Sequence, residues 1–290
     1  MLTLPGLPRS LYYGNLVNRA SPLNRGRDVW CLCLPQRGRG DSLLDIAGAR
    51  HGAFTNGAAW GDNFSRPGGF GSLRVVAASD QYVLGPSVVG PAGGFSCFCW
   101  AMPITSGTYF FASQYEEAAN TAYFQFFTTG TNIHARIHQT RDTAYIGRSA
   151  PVDTLTINAW QHVGFTWNGG TTNASIAIYR NGVAVDTADD SAGAFTAANT
   201  SAIPIRLGAQ GTGSFESFDG HLDDFRFADR PTSAAHLYDD SRRGNHLTLN
   251  RLSTMPLFDV GGGGGGGNRR RSLLSGGSLD YSSILSGGAL

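Results

Sequence analysis

Lysine is missing from all 290 residues, so the 22 basic side chains are all arginine. That excludes a P-loop, whose lysine reaches the β- and γ-phosphates, and it excludes Schiff-base or pyridoxal chemistry, which needs a lysine amine. Glutamate is nearly absent, with only Glu116, Glu117 and Glu216, so the chain is poor in residues that favour helix and leans toward β structure. No run of about 18 apolar residues occurs, so no membrane-spanning helix is expected. The opening MLTLPGLPRSLYYGN lacks a basic n-region and an apolar h-region and does not read as a secretory signal peptide. Net charge is scarce as well: 22 basic against 21 acidic groups leave +1, which argues against a general nucleic-acid or other polyanion binder. The four cysteines form two Cys-x-Cys pairs, Cys31/Cys33 and Cys97/Cys99, each inside an apolar run. Residues i and i+2 of a strand share a face. Buried free thiols are favoured; disulfides or a four-thiolate zinc site stand as alternatives, although structural zinc uses wider spacings.

Glycine is abundant, at 40 residues, and aromatics are plentiful, with 17 Phe, 10 Tyr and 5 Trp. Short apolar runs separated by glycine-rich breaks are the pattern of an all-β sandwich or barrel. Strands are expected near 28–34, 72–77, 81–84, 94–102, 108–115, 122–128, 132–138, 143–147, 154–157, 160–167, 174–180, 183–186, 203–208 and 220–228. Asn181-Gly182 between alternating hydrophobics predicts a tight hairpin, because both turn residues must accept positive φ. WQHVGFTW is bulky on both faces, with Trp160 and His162 on one side and Val163, Phe165 and Trp167 on the other, which suits a central strand. After the last strand, Thr232 or Ser233 starts a short helix that ends near Arg243-Gly244.

Three regions follow. Residues 1–27 form an extended N-terminal arm, 28–240 the folded domain, and 241–290 an irregular segment, a heptaglycine linker (261–267) and an apolar-basic tail that orders against another surface.

Taken in order, Trp160-Gln161-His162-Val163, Ile178-Tyr179-Arg180-Asn181-Gly182, Ile205-Arg206-Leu207-Gly208 and Phe218-Asp219-Gly220-His221-Leu222-Asp223-Asp224-Phe225-Arg226-Phe227 resemble the C-terminal half of a laminin G-like, concanavalin A-like lectin/glucanase domain of bacterial or phage type. Asp45 to Gly52, Gly57 to Trp60, Ser79 to Val83 and Phe95 to Trp100 resemble its front half. The resemblance implies a two-sheet antiparallel jelly-roll sandwich over residues 28–240.

Strict alternation in HLDDFRF places Leu222, Asp224 and Arg226 on one face and Asp223, Phe225 and Phe227 on the other. A carboxylate beside two core Phe must be hydrogen-bonded, so Asp223 is read first as a structural hub, with Trp160, and second as a ligand contact. Alternation in IHARIH lines His134, Arg136 and His138 along a polar face, either solvated or contacting glycans or anions. The densest aromatic stretch, 108–127, offers Tyr109, Tyr115 and Tyr123 as sugar-stacking platforms if exposed, with core packing the competing role. The resemblance admits calcium, for which loop acids such as Asp62, Asp80, Asp189, Asp190 and Asp219 would supply oxygen ligands, though no calcium-loop motif selects among them. The related glycosidase strand Glu-x-Asp-x-x-Glu is not reproduced by the three Glu, and no nucleophile elbow or zinc helix is found, so an enzyme is not expected. Arg269, Arg270 and Arg271, with Leu273, Leu274 and Tyr281, read as an assembly tail that docks on protein rather than on nucleic acid.

The expectation is therefore a non-catalytic lectin-like adhesion or decoration module. It would be multicopy or homo-oligomeric, displayed on a virion or extracellular surface, and anchored by its arms to capsid, tail or surface-layer subunits. A free glycan-binding protein is the first alternative, and a polysaccharide hydrolase the second.

Overall fold

Phe, Ile, Val and Trp recur at every second position of the long strands, so one face of each turns to a common core. A computed structural model describes residues 29–31, 42–43, 51–61, 72–91, 93–211, 216–235 and 238. The chain divides into Met1–Thr248, which holds all of these, and Leu249–Leu290, which lies outside them. The expected arm and assembly tail, including Arg269, Arg270, Arg271, Leu273, Leu274 and Tyr281, thus lie outside the described residues, as does Cys33.

The strands are β1 (Val29–Cys31), β2 (Ser42–Leu43), β3 (Gly52–Thr55), β4 (Ala59–Gly61), β5 (Ser72–Val75), β6 (Tyr82–Val89), β7 (Phe95–Pro103), β8 (Tyr109–Glu116) and β9 (Thr121–Thr129). They continue with β10 (Asn132–Thr140), β11 (Ala144–Ser149), β12 (Gln161–Trp167), β13 (Ile176–Arg180), β14 (Val183–Ala184), β15 (Ala188–Asp189), β16 (Ala202–Leu207) and β17 (Gly220–Ala228). Two antiparallel sheets result. One runs β14-β13-β12-β7-β17-β5-β4 with β1 beside β17; the other runs β15-β11-β10-β9-β8-β16-β6-β3-β2. Non-consecutive neighbours such as β7 and β17 give the crossed connections of a jelly-roll sandwich. No helix among the described residues is long and apolar enough to cross a membrane.

Between the sheets lies one aromatic core. Phe95, Cys97, Cys99 and Ala101 of β7 point into it, as do Val163, Phe165 and Trp167 of β12 and Ile133, Ala135 and Ile137 of β10. Phe95 stacks on Phe227 at 4.8 Å and meets Phe165 edge-on at 5.2 Å, and each buried ring contributes about 1.5–3 kcal/mol. Cys97 and Cys99 are free thiols; burial pushes both up from their ordinary range.

The outward face of β7 is buried too, because the chain after β17 doubles back across it. The Ser96 hydroxyl donates to the Arg230 carbonyl, Phe98 clusters with Ala234 and Tyr179, and Tyr238 packs 5.8 Å from both Trp100 and His162. Ala234, Ala235 and Tyr238 are helical, one residue inside the expected start; the helix end lies outside the described residues. Gly164 makes room for this layer, since a Cβ there would sit 2.1 Å from the Phe98 ring.

Several local expectations change. Strands β2, β3, β4 and β15 were not anticipated. The segment 154–157 is not a strand: Gln161 captures it, accepting from the Thr156 N–H and donating to the Thr156 carbonyl in place of a ladder. The Asn181-Gly182 hairpin forms with φ of 51° and 81°, and Asn181 Oδ1 accepts from the His162 N–H at 3.0 Å. The alternation expected in β17 fails at a bulge. Asp223 pairs with Trp100 and Arg226 with Phe98, with an irregularity between, and Asp224 takes φ 46°. Leu222, Phe225 and Phe227 thereby all face the core, while Asp223 and Arg226 share the opposite face with Trp100 and Phe98. One extra residue lets the strand keep three apolar side chains inward.

Candidate functional site

The outer surface of β8–β11 gathers most of the residues singled out from sequence. Antiparallel register sets Phe127 opposite His134 and Gln125 opposite Arg136, and on the other side Gly147 opposite Arg136 and Tyr145 opposite His138. At the centre the Arg136 guanidinium lies between two rings, 4.9 Å from the Phe127 centroid and 4.7 Å from that of Tyr145. It donates twice to Asp190, Nε to Oδ2 at 2.8 Å and a terminal nitrogen to Oδ1 at 2.9 Å. His134 Nδ1 lies 3.0 Å from the same Oδ2, its ring stacked on Phe127 at 4.8 Å. Burial alone would raise the Asp190 acid, but hydrogen bonds from His134 and Arg136 outweigh it and hold the carboxyl below its usual range. The expected solvated face is therefore only partly open: His134, Arg136 and Asp190 side chains are 15, 24 and 19 % exposed, and Asp190 accepts from Arg136 and lies against His134 Nδ1. Gly147 admits the Asp190 backbone, whose carbonyl oxygen would lie 2.4 Å from a Cβ at that position.

Further along β10, His138 is wholly buried, with Nε2 facing Gln125 Oε1 at 3.0 Å. Burial first, and then the Arg136 cation, push it down from 6.5 to about 3, so the ring is neutral and donates from Nε2. Tyr115, only 3 % exposed, donates to Asp142 Oδ2 at 2.7 Å and lies under Arg141. Burial, with Asp142 accepting its proton, pushes the phenol up. Arg206 bridges the Tyr115 carbonyl and Glu116.

The remaining predicted residues lie elsewhere. Tyr123 is a core residue whose hydroxyl donates to the Pro91 carbonyl, so it presents no face to a sugar. Tyr109 is half-buried, edge-on to Phe218 and bonded to Thr105. Asp219 holds Arg74 at 3.0 Å and accepts from Thr105 at 2.9 Å, so both its oxygens are occupied. Asp80 is the left-handed residue closing a short turn at Ala77–Ser79. Among the described residues no group of three or more His, Cys, Asp or Glu is placed to hold a metal. Asp223 accepts from the Asp224 N–H at 2.7 Å, and Trp160 sits half-buried, edge-on to His221.

Most carboxylates near these faces are tied to arginine: Asp186 to Arg148, Asp190 to Arg136, Asp219 to Arg74, Asp224 to Arg226, Glu116 to Arg206 and Glu117 to Arg141. Such pairing holds each carboxylate in its ionised form against a guanidinium and commits its oxygens to those contacts. Burial pushes the Glu216 carboxyl up from its ordinary range. Sequence reasoning missed Gln125, Phe127 and Tyr145 as partners of the His134–His138 strip, because register rather than spacing brings them there.

The sequence profile of the concanavalin A-like lectin/glucanases superfamily matches residues 77–237, from the turn before β6 to the segment that crosses Phe98 and Trp100. The chain belongs to this superfamily. Strands β1–β5 precede the match yet join both sheets of the lectin-type sandwich. Among solved structures, the binding domain of Paraclostridial Mosquitocidal Protein 1 is similar, with TM-score 0.54, 14 % identity, and 73 % of this chain and 52 % of that one covered. The botulinum neurotoxin serotype C1 binding domain gives TM-score 0.52 at 14 % identity over 75 % of this chain and 52 % of that one. The binding domain of botulinum neurotoxin DC, solved with SialylT, gives the same four figures. The chain thus spans about half the length of these neighbours, and at such identity they establish the fold. No curated protein matches.

Proposed function

We propose that this lectin-superfamily sandwich is a non-catalytic carbohydrate-binding module, carried on a virion or extracellular surface by its terminal segments. The observation that carries the non-catalytic part is the arginine pairing of Asp186, Asp190, Asp219, Asp224, Glu116 and Glu117. Acids held this way stiffen the sheets and are poorly disposed to shuttle protons. Carbohydrate binding is supported by the superfamily and by neighbours that are themselves binding domains, one of them solved with SialylT. For display, β1 is hydrogen-bonded alongside β17 with Val29 opposite Phe227, so the chain following residues 1–27 is built into the sheet beside the last strand. Capsid, tail or surface-layer subunits are the partners this reading calls for, with the domain present in many copies.

Two measurements test it. The full chain on a glycan array should bind a subset of glycans, and incubation with varied polysaccharides should release no reducing sugar; release of reducing ends would replace the module with a hydrolase. Deleting residues 261–290 should abolish incorporation into the native particle while the thermal melt of the domain stays in place. Unchanged incorporation removes the anchoring role.

A further inference from the structure

Where the two sheets part at one end of the sandwich, a cleft of about 190 Å³ opens between the 168–171 turn and the 195–200 segment, lined by Trp167, Gly169, Thr171, Phe195, Thr196 and Thr200 with Ala197 and Ala198. Trp167 ends β12 of one sheet, and the 195–200 segment leads into β16 of the other. We propose that this cleft is the carbohydrate subsite and takes a single uncharged sugar ring; the inference rests on the lectin-like reading above and gives it a place and a ligand class.

Three features carry it. The first is size: the cleft lies below the roughly 300 Å³ at which pockets for drug-sized ligands begin, so it suits one ring rather than a buried oligosaccharide. The second is chemistry. None of its lining residues carries a charge. Thr171, Thr196 and Thr200 are exposed around a half-buried Phe195 and the Trp167 floor. The Thr171 and Thr200 hydroxyls match sugar hydroxyls as donors and acceptors, Thr196, whose proton goes to Gln139, matches them as an acceptor, and an aromatic edge matches the C–H face of a pyranose. A carboxylate or phosphate would need arginine or clustered N–H donors, which a lining of this kind does not provide.

The third feature is that both walls are built before any ligand arrives. Gln139 Oε1 accepts from the Thr196 N–H at 2.6 Å, the Thr196 hydroxyl at 3.1 Å and the Ala197 N–H at 3.3 Å. The Asn199 N–H donates to the His138 carbonyl at 2.8 Å. Opposite, Trp167 Nε1 donates to the Gly170 carbonyl at 2.8 Å and the Gly170 N–H to Asn168 Oδ1 at 3.0 Å. Gly169, at φ +86°, packs so near Gly93 that a Cβ would lie 2.9 Å from its carbonyl carbon. Held loops spare the ordering cost that weakens a small ligand most.

The test uses the full chain, titrated by ligand-observed NMR with glucose, galactose, mannose and N-acetylglucosamine, and with glucuronic and sialic acid as charged counterparts. At least one uncharged sugar should bind, and neither charged one more tightly. Thr171→Val should weaken that sugar about tenfold, and Ala197→Phe, which fills the cleft from an exposed position, should abolish binding, both with unchanged thermal melts. A preference for the charged sugars, silence toward all four neutral ones, or binding indifferent to both substitutions overturns the proposal. The same variants on the glycan array separate the two claims. Array binding that survives Ala197→Phe leaves the lectin reading standing and removes the cleft, whereas an array silent for the parent chain removes the lectin reading itself.

Discussion

Asp224 offers the sharpest test of how the last strand is built. Its carboxylate is fully buried and grips Arg226 with two bonds, Oδ1 to Nε at 2.9 Å and Oδ2 to a terminal nitrogen at 2.8 Å, with the Arg226 side chain 2 % exposed. Its backbone, at φ 46°, makes the bulge that keeps Leu222, Phe225 and Phe227 inward. Asp224→Ala removes both roles. Removing one partner of a buried ion pair costs about 3–5 kcal/mol, and placing alanine in the left-handed region adds about 1–2 kcal/mol. At about 2–4 °C per kcal/mol for a domain of 150–250 residues, the melting temperature should fall by roughly 8–28 °C. Asp224→Asn separates the contributions, because asparagine accepts positive φ while losing the charge, so most but not all of the loss should remain. Asp224→Asn with Arg226→Met removes the ion pair as a whole and should recover at least half of it. Denaturant melts by tryptophan fluorescence provide the readout. Asp224→Asn within about 1 kcal/mol of the parent would falsify the claim that a desolvated ion pair anchors this strand, as would a double variant whose losses simply add.

Two further outcomes follow from the same coordinates. His138 is held neutral at about 3 against 6.5 for a free imidazole, so between those values the unfolded chain binds the extra proton; stability is fully present above pH 6.5 and is lost as pH falls toward 3, by up to about 5 kcal/mol. Denaturant midpoints measured from pH 7 to 3 should show this slope and His138→Gln should flatten it, and equal slopes would mean that other groups, such as His221, pushed down to about 4 by burial and Arg74, carry the acid response. Gly164→Ala should cost about 1–3 kcal/mol by overpacking against the Phe98 ring, whereas Gly130→Ala, whose Cβ meets nothing within 4 Å at φ +64°, should cost only about 1 kcal/mol of backbone strain; equal melts for the two would show that the layer over β7 yields freely.

Much of the sandwich was legible in the chain because alternation and turn chemistry are local. Strand β10 announced itself in IHARIH, β13 and its Asn181-Gly182 turn in IYRNG, and β12 in WQHVGFTW. The short strands β2, β3, β4 and β15 were not, since two to four residues carry no measurable period and exist only because a long neighbour offers its edge. The candidate sites were legible only as strips. Alternation puts His134, Arg136 and His138 on one face of β10, but whether that face meets water depends on Asp190, some fifty residues away, and on Phe127 and Tyr145 from adjoining strands.

The order of amino acids by itself determined an all-β domain, an aromatic interior and the exclusion of every lysine-dependent chemistry, because propensity, period and residue inventory are properties of short windows. Only the tertiary structure decided that Asp223 and Phe225 lie on opposite faces, that Tyr123 is core, that Asp186, Asp190, Asp219 and Asp224 are paired with arginines, and that two loops carrying no motif enclose a cleft. Each of those depends on register or on a bulge, where a shift of one residue turns a side chain through the sheet.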